Sequence, residues 1–333
     1  MAQSVDSSLA RRSKALDPPT DTRNSLRGFL YIGAATFFWG LSATLGRAAF
    51  TGRLLPGLGI RDINPIILSQ CRTGFSFLVI ALWLISRRGI SALRVPRRDL
   101  AKLVLLGLAG LAVSNYFYYL AIQRTNVATA IIVQYTAPIW VLLYMAARGA
   151  ERLTVSKMGT VLLAITGIAL VIGIFRRGGI QMDVIGVGAA LVASFSFAYY
   201  NVAGHYLLER YDRWMVILYA TLAASLFWII INPPNKIIAA HYSGGAWLFL
   251  AVFSFLSMLL PFTLYFAGLK LLVPTKAIIA SCLEPVFAIL IAALALKESV
   301  GFVQAIGIGM VLGAIVLAQK SGSDPRPIAG PVD

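Results

Sequence analysis

The chain has 333 residues, of which 59% are hydrophobic and only 13% charged, and its mean hydropathy is +0.80. A soluble domain of this length cannot hide so much apolar surface, so lipid must cover the remainder. The net charge of +16 does not mark a nucleic-acid partner, because the Lys and Arg residues fall in short loops between apolar runs and form no groove-lining stripe.

Residues 1–27 make a polar tail with Arg11, Arg12, Lys14, Arg23 and Arg27 and no hydrophobic run, so the segment reads as a cytoplasmic tail and not as a cleavable signal. Ten apolar stretches follow, at about 28–49, 64–86, 99–122, 126–147, 154–174, 182–208, 212–231, 245–269, 274–296 and 299–319. Most are near the ~20 residues a helix needs to cross the hydrocarbon. A transmembrane barrel would require short alternating segments instead. The expected fold is therefore an all-α integral membrane protein with ten transmembrane helices. The connections at 123–125 and 209–211 leave room only for tight helical hairpins. The end of the chain, residues 320–333, is rich in Gly and Pro and is expected to be a disordered cytoplasmic tail. Cys71 and Cys282 both fall inside apolar stretches and fit neither a disulfide framework nor a zinc cluster; no metal or cofactor is expected.

Orientation follows from the basic residues. With the N-terminus inside, twenty of the 29 Lys and Arg lie in inner segments, eight in outer ones, and Arg72 lies within the second stretch. The loop between stretches 2 and 3 (RRGISALRVPRRD) is the strongest inner signal. Both termini are thus expected in the cytoplasm, with the protein in the bacterial inner (plasma) membrane.

A repeat organises the whole. YYLAIQRTNVATAIIVQYTAPIWVLLYMAARGAE, from Tyr118 to Glu151, returns 147 residues later as YFAGLKLLVPTKAIIASCLEPVFAILIAALALKE, from Tyr265 to Glu298. Tyr118 and Tyr265, Pro138 and Pro285, and Glu151 and Glu298 coincide. The two halves, 28–174 and 182–319, each hold five stretches. Like halves with an odd number of spans must sit in opposite orientations, and inverted repeats are an architecture of secondary transporters.

With these features the chain resembles the drug/metabolite transporter superfamily, specifically its EamA-type branch. The likeness is carried by FFWG at Phe37–Gly40, the Tyr-rich run Asn115–Tyr119, the mid-span Pro138 and Pro285, and Glu151 and Glu298 ahead of Gly-rich stretches 5 and 10. The resemblance implies a secondary active transporter of small organic solutes, most often an exporter of amino acids, here neutral or aromatic ones, or of related metabolites. Exchange of a sugar phosphate or nucleotide sugar in the same fold is the alternative. The expected partners are a small-molecule substrate and membrane lipid, with the protein a monomer or homodimer. An enzyme is not expected: there are two histidines and no HExxH, GxSxG or phosphate-binding loop.

Candidate site residues come from polar groups where hydrocarbon should exclude them. A proline within a helix lacks an N–H and clashes with the carbonyl four residues earlier. Pro138 therefore frees the carbonyl of Gln134, Pro285 that of Ser281 and Pro261 that of Ser257. Freed carbonyls are costly in lipid and should face protein, water or solute. Pro138 and Pro285 are the expected hinges, set against the plainer reading that they only bend their helices. Glu284 is the one acidic residue near the middle of a stretch; proton coupling or contact with a substrate ammonium stands beside a neutral carboxyl bonded to a neighbouring helix. With Ser281 on its face, it joins Trp39, Ser42, Asn115, Tyr119, Gln134, Tyr135, Tyr199, Tyr200, Ser257 and Tyr265 as the expected substrate-binding set. The competing reading for each is interhelical glue worth about 0.6 kcal/mol per contact. Arg72 is read as snorkelling outward, with pairing to a substrate carboxylate as the alternative; Lys270 and Lys276 are read as inner anchors, with phosphate binding in a sugar-phosphate exchanger as the alternative. Gly309–Gly313 is a close-packing step open to a dimer contact.

Overall fold

The computed structural model describes residues 22–50, 63–173, 183–297 and 299–320. Most of both tails, Glu298, and the loop residues Arg53, Arg61, Arg176 and Arg177 lie outside the described residues, and so do the expectations attached to them.

Among the described residues ten helices are long and apolar enough to cross a bilayer: α1 Arg23–Gly46, α2 Ile66–Arg88, α3 Arg97–Arg124, α4 Val127–Ala147, α5 Val155–Ile172, α6 Val184–Arg210, α7 Arg213–Ile231, α8 Gly244–Leu269, α9 Pro274–Ala295 and α10 Phe302–Lys320. They coincide with the expected stretches to within a few residues. Six of their starts, those of α2, α4, α5, α6, α7 and α8, are capped by short polar side chains, because the first N–H groups of a helix have no partner within it. Asn64 Oδ1 accepts from Ile66 N at 2.8 Å, Asn126 Oδ1 from Thr129 N at 2.8 Å and Asp183 Oδ1 from Gly186 N at 2.7 Å. Asp212 accepts from Trp214 N at 2.9 Å and also receives Arg88, which joins α2 to α7 at the terminal end of the bundle, where α1 starts and α10 ends. At that same terminal end Arg210 and the Tyr211 hydroxyl, at 3.3 and 2.7 Å, hold Asp99.

Packing between helices has a two-fold logic. The most extensive pairings are α3 with α6, α5 with α10, α1 with α8 and with α9, α3 with α7, and α4 with α6, followed by α2 with α7. Exchanging each helix for its counterpart in the other half turns the α3–α6 pair into α8–α1, and the α4–α6 pair into α9–α1. The α2–α7 and α5–α10 pairs map onto themselves. This pattern is compatible with two inverted halves. The α5–α10 seam depends on glycine: a Cβ at Gly307 would lie 2.6 Å from the Gly167 oxygen, and one at Gly167 2.9 Å from the Gly307 oxygen. Gly309, part of the step singled out from sequence, has nothing within 4 Å of its Cβ position, so the close approach within the fold belongs to Gly307 instead.

Four helices depart from regular geometry, and they do so in register with the repeat. A π-helical segment, Leu106–Ala112, interrupts α3, and another, Phe255–Leu259, interrupts α8. The last residues of the two, Ala112 and Leu259, are 147 apart. Helix α4 breaks after Gln134 and restarts at Ala137; α9 breaks after Ser281 and restarts at Leu283. Tyr135 in the first break and Cys282 in the second again differ by 147. Pro138 and Pro285 each sit in the first turn of the restarted piece, where a missing N–H costs nothing within the helix.

Candidate functional site

These irregular helices surround a cavity of about 930 Å³. Its wall takes Trp39 and Ala43 from α1, Arg72 from α2, residues between Gly110 and Tyr119 from α3, and residues between Val127 and Tyr135 from α4. Phe197 and Tyr200 of α6, Phe262 of α8, and Glu284 to Ala293 of α9 complete the deep part. Ile172, Ser299, Val300 and Gln304 belong to the opposite, remote end, where α5 ends and α10 starts. The lining thus runs from the middle of the helices to that remote end. Toward the terminal end the floor is aromatic: Trp39 meets Phe262 and Tyr265 at 5.2 Å between ring centres, and Tyr200 meets Phe266 at 5.3 Å. Such contacts combine large apolar burial with fixed geometry, which suits a seal.

Polar groups at the wall are few and oriented. The Tyr135 hydroxyl donates to Glu284 Oε2 at 2.9 Å, linking the break of α4 to the restart of α9. Arg72 does not reach outward. Its Nη2 donates to the Ser257 carbonyl at 2.9 Å, the carbonyl that Pro261 leaves without a helical partner. This corrects the snorkelling expectation: a freed carbonyl on another helix competes successfully with the interface for the guanidinium. Asn115 Nδ2 donates to the Leu111 carbonyl at 2.8 Å, and Gln134 Nε2 reaches Ser114 Oγ at 3.5 Å. Behind the wall, Ser194 Oγ receives Trp140 Nε1 at 3.1 Å and lies 2.9 Å from Thr136 Oγ1, which ties the broken helix α4 to α6.

Of the twelve residues expected at a binding site, Trp39, Asn115, Tyr119, Gln134, Tyr135, Tyr200 and Glu284 stand together on this wall. The other five are placed elsewhere. Ser42 donates to the Phe38 carbonyl at 2.7 Å within its own helix, and Ser281 to the Ile278 carbonyl at 2.6 Å. Tyr265 is fully buried and donates to Asn201 Oδ1. Ser257 meets the cavity only through Arg72, and Tyr199 is half-buried away from the wall. Pro285 lines the cavity, whereas Pro138 is packed behind it. Lys270 and Lys276 are both outside the lining, Lys276 buried at the terminal end and Lys270 exposed. Arg72 takes the inward place, the less favoured of its two readings, and wall residues not named as site candidates include Ser114, Tyr118, Phe262 and Gln304. Gln304 stands 147 residues after Lys157, which is off the wall and donates to Glu151 at 2.8 Å.

Known proteins agree with this architecture. The profile of the EamA-like transporter family matches residues 26–173 and 184–319. An uncharacterized inner membrane transporter of Salmonella typhimurium, YicL, is 21% identical over 293 residues, which span 87% of this chain and 94% of that protein. An uncharacterized transporter of Archaeoglobus fulgidus is 26% identical over 217 residues, 64% of this chain and 76% of the relative. A crystal structure at 21% identity superposes with a TM-score of 0.69 over 89% of this chain and 97% of its own, a likeness of fold.

Proposed function

Because this chain belongs to the EamA-like transporter family, we propose that it exports small organic solutes, neutral or aromatic amino acids foremost, across the inner membrane by alternating access. The observation that carries this reading is the cavity wall: aromatic rings and neutral hydrogen-bonding groups, with a single cation and a single carboxylate among the described residues. Such a wall matches an amphipathic solute with few polar groups. The sugar-phosphate reading needs several cations around phosphate. Lys270 and Lys276, its natural candidates, are not on the wall, so the amino-acid reading is preferred.

The 20-to-8 distribution of Lys and Arg assigns the terminal end of the bundle to the cytoplasm. On that assignment the structure is an outward-open form with its aromatic floor closed toward the cytoplasm. Transport then requires α4 and α9 to bend at their breaks, so that the remote ends close and the terminal ends part. Counterflow into proteoliposomes, with labelled amino acids set against labelled sugar phosphates, tests the substrate class. Accumulation of neutral or aromatic amino acids supports the reading; exchange of sugar phosphates alone overturns it.

A further inference from the structure

Two charged side chains share the cavity, Arg72 from α2 and Glu284 from α9. They form no ion pair with each other. Each is held by a neutral partner instead: Arg72 by the Ser257 carbonyl, Glu284 by the Tyr135 hydroxyl. The anchors are themselves fixed by backbone irregularities, the π-helical segment and Pro261 on one side and the break in α4 on the other. Arg72 Nε is buried and has no hydrogen-bond partner. A charged group inside a membrane protein is expensive unless something completes its shell. Here two opposite charges are positioned at separate points of one cavity, and their sum is zero.

We infer that Arg72 and Glu284 read the two ends of a dipolar solute, Arg72 taking the carboxylate and Glu284 the ammonium. The guanidinium fork suits a planar carboxylate and still has N–H groups to offer once one is given to Ser257. Trp39, Phe262 and Tyr200 then receive the apolar side chain of the solute. A phosphate dianion would meet one cation and one repelling carboxylate in the same space. This assignment rests on the reading that the solute is an amino acid, and adds which groups select it.

Competition in the counterflow assay tests it, with labelled phenylalanine as the tracer. Three unlabelled competitors are used: phenylalanine, phenylalaninamide without the carboxylate, and N-acetylphenylalanine without the ammonium. Wild type should prefer the free amino acid to each analogue by at least about tenfold. Arg72→Gln should lose the preference over the amide and keep the preference over the N-acetyl form. Glu284→Gln should do the reverse, and Arg72→Lys should retain part of the discrimination of wild type. Each readout is a ratio within one variant, so a lower yield of folded protein does not move it. If both variants weaken all three competitors by a common factor, the residues are structural and the inference fails while the amino-acid reading survives. If Arg72→Gln does not fold, wild type alone decides: equal acceptance of the amide and the free amino acid overturns the role of Arg72. A wild type that carries sugar phosphates and no amino acid overturns both.

Discussion

Replacing Gly307 by Ala tests the packing on which the cavity's remote wall depends. The new Cβ would lie 2.6 Å from the Gly167 oxygen, 2.7 Å from the Val171 nitrogen and 2.8 Å from Leu170 Cβ. Two of these atoms are backbone of the neighbouring helix, so no rotamer change relieves the clash and α5 must separate from α10. Overpacking of this kind costs about 1–3 kcal/mol. Alanine returns about 1 kcal/mol through its higher helix propensity, so the net change runs from near zero to a loss of about 2 kcal/mol. Gly309→Ala, two residues along the same helix, meets no atom within 4 Å and keeps the propensity gain alone. The two variants should therefore differ by about 1–3 kcal/mol, or roughly 2–12 °C at about 2–4 °C per kcal/mol. Heating in detergent followed by fluorescence-detected size exclusion reads that difference. Equal melting, or a larger loss in Gly309→Ala, would refute the packing described.

Three other outcomes follow from the site. Pro138→Ala and Pro285→Ala should lower turnover in counterflow by more than they weaken substrate binding, since each restores helical continuity next to a break; a collapse of binding with normal turnover would remove the hinge role. Glu284→Gln should flatten the pH dependence of transport if Glu284 carries the coupled proton, the facing groups being the Tyr135 and Tyr118 hydroxyls, Arg72 and, on its own helix, Cys282; a profile unchanged from wild type leaves Glu284 to substrate binding alone. A cysteine at Ser281, introduced with Cys71 and Cys282 replaced, should resist alkylation in the outward-open form and become reactive from the cytoplasm during turnover. Continued silence of that position while transport proceeds would refute alternation between the two halves.

The positions of the ten helices were legible because apolar length and polar caps are properties of a short stretch of chain. Asn126 at a helix start and the tight turn after Arg124 are visible without any neighbour. The breaks at Tyr135 and Cys282 were half legible: the prolines three residues later announced disturbed helices, but not that each would restart as a separate piece with its proline in the first turn. Arg72 was misread because its direction is decided by a carbonyl on α8, 185 residues away in sequence. Depth in the bilayer can be counted along the chain, whereas the competing acceptor cannot.

The five expected residues that stand away from the wall are not scattered at random. Ser257, Tyr265 and Ser281 are the 147-residue counterparts of Gly110, Tyr118 and Gln134, all three of which line the cavity. The same holds along the helix: Val127, Ala128 and Ile131 of α4 face the cavity, while their counterparts Pro274, Thr275 and Ile278 of α9 are buried at the terminal end. Polarity along the chain therefore marks both copies of each position, because a repeat writes similar residues into both halves. This is what two inverted halves would produce: a single conformation exposes one copy, because inversion turns one set toward the open end and the other toward the closed end. Tyr265, bonded to Asn201 in the core, and Tyr118, on the wall, are in this sense the same position seen from the two sides of the membrane. The symmetry stops at Glu284, whose counterpart is Ala137, and at Arg72, whose counterpart Tyr219 donates its hydroxyl to the Leu93 carbonyl. If the proposed alternating access and the proposed roles of Arg72 and Glu284 hold, the solute is held by residues that occur once, so the charges would serve both access states while the neutral wall is exchanged around them.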